Sequence, residues 1–255
     1  IYDNMKQSLM FYSTEDGRFV KSEKFNKPTP AEIAYWGGYF FYHNRLHRNY
    51  QDDISLHYYL LASKDGITIG KRYFKHENNK EDYPFSPSGH NLYDNNSKLY
   101  YCRDFDNIVY QIHEDSVVPR FRINLPNPLP ASMIEERPNE MSLLRSGYSL
   151  GITDIYEYGG LLFFRFVKDG YIWSCLYNVE ESKQVYCAKR IKFLDSSLID
   201  TIDGIYKDCF YSILTPEYLD YAFSENPLED YPDLFKTYDV EGDNPVIAFY
   251  RAVVR

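Results

Sequence analysis

The sequence predicts an all-β protein, a β-propeller of four-stranded antiparallel blades, and three observations carry that expectation. The same hairpin is written four times, as "SLMFYSTEDGRFVKSEKF", "LHYYLLASKDGITIGKRYF", "IVYQIHEDSVVPRFRI" and "SCLYNVEESKQVYCAKRI". A further aromatic strand precedes the last three of these. Aromatic residues make up 18% of the chain, with 27 Tyr and 17 Phe, a composition that suits pleated, half-buried surfaces. The same tyrosines could instead serve as stacking platforms for sugars or other planar ligands.

Each hairpin is an aromatic strand, an acidic turn and a second strand. The turns end at Gly17, Gly66, Ser116 and Ser182, with spacings of 49, 50 and 66 residues. Asp-Gly between alternating apolar residues is a strong local hairpin signal, because tight hairpin turns need positive φ. The preceding strands are "GGYFFYHNR", "SKLYYCRD" and "GGLLFFRFVKDG", and before those lie the inner-strand candidates "AEIAYW", "GHNLYD" and "GITDIYEY". Four strands per unit of about 50 residues is the arithmetic of a propeller blade. A sandwich is the rival, but its strands would not share a unit of four.

The blades then fall at 1–25 (half a blade), 31–75, 89–125, 148–193 and 198–255. In the last, "GIYKDCFYSIL" supplies two strands and "NPVIAFYRAVV" a third, with no fourth. An insertion at 215–243 reads as partly helical: Thr215 caps, Pro216 takes the first position and Glu217 suits the positive helix start. Pro227 would end that helix.

Composition narrows the partners. A net charge of −9 argues against nucleic acid, which is bound through basic surface. No run of 18 apolar residues exists, so no transmembrane helix is expected. The chain opens "IYDNMKQ", without an initiator Met or signal peptide, which reads as a processed chain or a fragment. No Gly-rich phosphate loop, nucleophile elbow or His-Glu-x-x-His sequence occurs, so no catalytic residue is nominated.

Candidate ligand contacts come from the ends of second strands. In a blade, the second-to-third turns share a face with the connections between blades, and the long segments 45–54, 75–89, 126–147 and 215–244 fall there. Long loops on a rigid scaffold commonly carry binding. His43, Arg45, Arg103, Asp104, Arg165, Lys168 and Asp169 sit at that face, as does Asp106. His43 and His47 would share a helix face as a metal pair, but on a strand they lie about 13 Å apart. Asp239, Glu241 and Asp243 in "DVEGDNP" offer alternating carboxylates suited to calcium; a capped turn is the simpler account. Of the four cysteines, Cys175 and Cys187 lie equidistant from Glu181. They would face each other across a hairpin turning there, as a disulfide if geometry cooperates or as buried free thiols.

The strand start "GDNPVIAFYR", the "LYYCRDFDNIVYQI" pattern and the "YSTEDGRFV" hairpin resemble an uncharacterised family of bacterial six-bladed β-propellers, related in architecture to NHL-repeat propellers. The resemblance covers nearly the whole chain and carries over no catalytic residue. It implies export to the periplasm or cell surface, often as a lipoprotein, with about one and a half N-terminal blades and any lipid anchor outside this sequence. Loop asymmetry, abundant Tyr and the absence of a catalytic motif point instead to a non-catalytic binding or scaffold role for a glycan, peptide or protein ligand, without cofactor. The alternative is a propeller enzyme such as a calcium-dependent lactonase or polysaccharide lyase.

Overall fold

The computed structural model describes residues 1–3, 5–6, 8–24, 30–44, 57–76, 86–87, 89–95, 97–136, 138–189, 202–225, 238–239, 242 and 244–251. Its strands form five antiparallel sheets, each built from consecutive stretches of chain. The first holds β1 (Tyr2–Asp3), β2 (Ser8–Tyr12) and β3 (Phe19–Lys24). The second holds β4 (Glu32–Trp36), β5 (Tyr39–His43), β6 (Tyr58–Ser63) and β7 (Lys71–Lys75). β8 (Leu92–Asp94), β9 (Leu99–Cys102), β10 (Ile108–Ile112) and β11 (Val117–Arg122) make the third. The fourth comprises β12 (Ser149–Tyr158), β13 (Leu161–Lys168), β14 (Tyr171–Asn178) and β15 (Lys183–Ala188). The fifth comprises β16 (Gly204–Tyr206), β17 (Cys209–Leu214) and β18 (Val246–Tyr250).

All four repeated hairpins form, as β2–β3, β6–β7, β10–β11 and β14–β15. Three of their turns use the backbone state expected, with φ of 70° at Gly17, 84° at Gly66 and 52° at Ser182. The turn at Ser116 does not: His113 N–H donates to the Ser116 carbonyl at 2.8 Å without a left-handed residue there. The segment read as half a blade at the N-terminus carries three strands, because Tyr2–Asp3 pairs with β2.

Successive sheets pack face to face. Leu9, Tyr42 and Leu61 join the first sheet to the second, and Phe41, Leu60, Tyr101 and Ile112 join the second to the third. A larger cluster with Tyr100, Ile155, Phe163 and Phe210 unites the third, fourth and fifth. Tyr42, Tyr100 and Tyr101 are wholly buried, so much of the aromatic wealth is core rather than platform. Burying a tyrosine strands its hydroxyl unless a partner is found. Tyr42 donates to the Gly66 carbonyl at 2.6 Å, Tyr156 donates to the Asp203 carbonyl at 3.1 Å, and Tyr100 meets Glu157.

The first strands of the second, third and fourth sheets run side by side in the same direction. At their starts, Asn91 and Leu92 N–H groups reach back to Glu32. Near their ends, Glu157 N–H donates to Asn95 Oδ1 at 2.6 Å. Start therefore meets start and end meets end, which gathers the second-to-third turns and the inter-sheet connections on one side. Not all of these are long: the third and fourth sheets turn tightly there, through 103–107 and 169–170.

The connection 126–147 contains two short helices, α1 (Ala131–Glu135) and α2 (Glu140–Leu144), which hairpin counting does not anticipate. Leu143 anchors α2 against Leu150 and Val167. α3 (Pro216–Glu225) starts at the expected residue; Tyr218 N–H donates to Thr215 Oγ1 at 3.3 Å, and Leu219 packs beside Leu214. Pro227 lies outside the described residues. Removing this cap by Thr215→Ala is expected to cost about 1 kcal/mol, read as a lowered midpoint in urea unfolding.

Candidate functional site

Glu32, Asn91 and Asp154 occupy matching places in their first strands. Each lies four residues before the last residue ahead of the first hairpin turn, which is Trp36, Asn95 and Tyr158 respectively. A polar residue stands at this level in all three segments, and because the strands run in parallel directions the three come together on the side of the inter-sheet connections.

Glu32 clips the second sheet to the third. Its Oε2 accepts from the N–H groups of Asn91 at 2.6 Å and Leu92 at 2.8 Å, and its Oε1 lies 3.2 Å from His90 Nδ1. Burial raises the Glu32 pKa, opposed by those two N–H groups and by His90. Asp154 is also raised by burial, opposed chiefly by the Arg165 guanidinium, whose Nε donates to Asp154 Oδ2 at 2.8 Å. His90 lies close to this second carboxyl too, since the Tyr93 hydroxyl meets both the His90 and the Thr153 carbonyls. His90 is the open member of the group, with 66% of its side chain exposed against 17% for Arg165.

A second polar knot borders the first. Asn91 Nδ2 donates to the Cys102 carbonyl at 2.9 Å and to Asp104 Oδ1 at 3.2 Å, and Ser86 Oγ donates to the same carboxylate at 2.7 Å. Arg103 spends Nε and Nη2 on Asp106 Oδ2, at 3.0 and 2.6 Å. Its guanidinium also lies 5.8 Å from the Tyr59 ring and 5.5 Å from the Phe74 ring.

The sequence-based candidates thus divide. Arg165 and Asp104 join the polar group, with Arg103 beside it. Lys168 and Asp169 pair with each other at 3.7 Å around a tight turn. His43 is only 1% exposed, with Nδ1 3.1 Å from the Tyr101 hydroxyl. The end of β5 lies against Tyr101 of the third sheet. Arg45, His47, Glu241 and Asp243 lie outside the described residues. Asp239 accepts from Gly242 N–H at 3.2 Å in a turn. Among the described residues no group of three or more His, Cys, Asp or Glu is arranged to hold a metal ion. Cys175 stands opposite Cys187 in the β14–β15 register, and the two are linked as a disulfide. Sequence reasoning passed over Glu32, His90 and Asp154. The signal was present in "AEIAYW", "GHNLYD" and "GITDIYEY", each with an ionisable residue inside or just ahead of an apolar strand.

A family profile matches residues 1–251, that of a domain of unknown function, DUF4934. The chain belongs to the DUF4934 family. No curated protein matches this DUF4934 chain. Among solved structures it is similar to a candidate exported protein from Bacteroides fragilis, with a TM-score of 0.74 and 15% identity, over 98% of this chain and 75% of that one. At that identity the likeness speaks for the fold alone. No helix among the described residues of the DUF4934 chain is long and apolar enough to cross a membrane.

The raised carboxyl of Glu32 gives a signed expectation. Its folded pKa lies above its unfolded value, so the folded state takes up that proton first as pH falls. The contribution of Glu32 to stability therefore rises on acidification through the folded pKa, then levels off below the unfolded one. Glu32→Gln lacks this component. The stability of the wild type relative to the variant should increase from about pH 7 to about pH 4, measured by urea unfolding at each pH.

Proposed function

We propose that this protein is a non-catalytic binding or scaffold β-propeller of the bacterial cell envelope, six-bladed when complete. It meets a glycan, peptide or protein ligand on the side where the first strands begin. The observation carrying this reading is the convergence there of Glu32, His90, Asp154 and Arg165 from three sheets. Side-by-side first strands support the radial arrangement of blades, and the likeness to a candidate exported protein supports an envelope location. Fold by itself does not choose a function, so the site carries the argument.

Screening the purified protein against glycan and peptide arrays tests it. Retained ligands whose binding is lost on changing His90 or Arg165 would support the reading. Turnover of a captured ligand, with a stoichiometric metal found by elemental analysis, would replace it with the lactonase or lyase alternative.

A further inference from the structure

Asp154 and Arg165 face each other across β12 and β13, and their contact is one-sided. Only Nε of the guanidinium donates to Asp154. Among the described residues neither terminal nitrogen of Arg165 has a hydrogen-bond partner, and neither is a buried polar atom left unsatisfied. Arg103 differs, since it commits a terminal nitrogen as well as Nε to Asp106. A guanidinium anchored through Nε, with 17% of its side chain exposed, turns its Nη edge toward solvent in a fixed orientation. Two parallel N–H donors at that edge match the two oxygens of a carboxylate.

The carboxylates of the polar group are taken up within the protein. Asp154 is neutralised by Arg165 itself, the Glu32 carboxylate is covered by two backbone N–H groups and His90, and Asp104 accepts from Asn91 and Ser86. What the site offers outward is therefore the donor edge of Arg165, with the exposed His90 nearby.

We infer that Arg165 is a ligand-contact residue whose Nη edge, aimed by Asp154, takes a carboxylate group. The inference rests on the binding role proposed above and narrows it to carboxylate-bearing ligands. A uronic-acid sugar and the C-terminus of a peptide share this chemistry.

Calorimetric titration with two pairs of probes separates them: a galacturonate trisaccharide against its methyl ester, and a free tripeptide against its C-terminal amide. At least about tenfold tighter binding of one charged form over its neutral partner is expected, with that preference lost in Arg165→Lys. The lysine keeps a cation for Asp154 but cannot present the paired donors. The ester and amide arms use the unaltered protein, so they hold even if the variant folds poorly. Charged and neutral probes binding alike, or a preference surviving Arg165→Lys, would overturn the inference and leave the binding role standing. If no glycan or peptide of any kind is retained, both fall.

Discussion

Asp154→Ala is expected to lower the free energy of unfolding by about 3 kcal/mol. The Arg165 side chain is mostly buried, and among the described residues its one hydrogen-bond partner is the Asp154 carboxylate, at 2.8 Å. Deleting that carboxylate leaves the inward, Nε side of the guanidinium without its partner, so that the desolvation cost there persists and the Coulombic return is gone. The double variant Asp154→Leu/Arg165→Met removes both charges, and should recover much of the loss because nothing is then left uncompensated. Urea unfolding of the single and double variants measures the difference. A single variant as stable as the wild type would mean that Arg165 reaches water easily, and that its orientation is not held by Asp154.

Gly151→Ala should be at least as damaging, at about 3 kcal/mol or more. Gly151 lies in β12 with φ of 94°, and a Cβ there would sit 2.7 Å from the backbone Cα and C of Phe105. Those are backbone atoms of the turn joining β9 to β10, which cannot rotate aside. The turn is further tied to β12 by Ile152 N–H donating to the Asp106 carbonyl at 3.1 Å. Gly38 provides the control: its φ is 79°, but nothing lies within 4 Å of its missing Cβ. Gly38→Ala should cost only the left-handed penalty of about 1–2 kcal/mol. Equal losses at the two positions would show that backbone strain accounts for everything, and that the close approach of the third and fourth sheets is looser than described.

These two sites show which information was local. The hairpins were legible because a turn needs only its own residues. Asp16-Gly17 and Asp65-Gly66 set the backbone hand, and alternation then sorts each flanking strand into two faces. The cap at Thr215 was legible for the same reason, since Oγ1 and the Tyr218 N–H are three residues apart. The short helices at 131–135 and 140–144 were not. α1 has no side-chain cap and no buried residue, and α2 buries only Leu143, so neither leaves the apolar periodicity by which a helix is read.

The chain alone determined that this protein would be β-rich, would repeat a hairpin, and would group most of its strands in units of four, because those outcomes depend on backbone hand and on alternation over a few residues. Only the packing of sheets decided where its chemistry lies. Glu32, His90 and Asp154 each stand about sixty residues from the next, and nothing local says that they meet. They meet because first strands align start to start, so that matching positions in successive sheets become neighbours. The same packing withdrew His43 from solvent and left the Nη edge of Arg165 facing it.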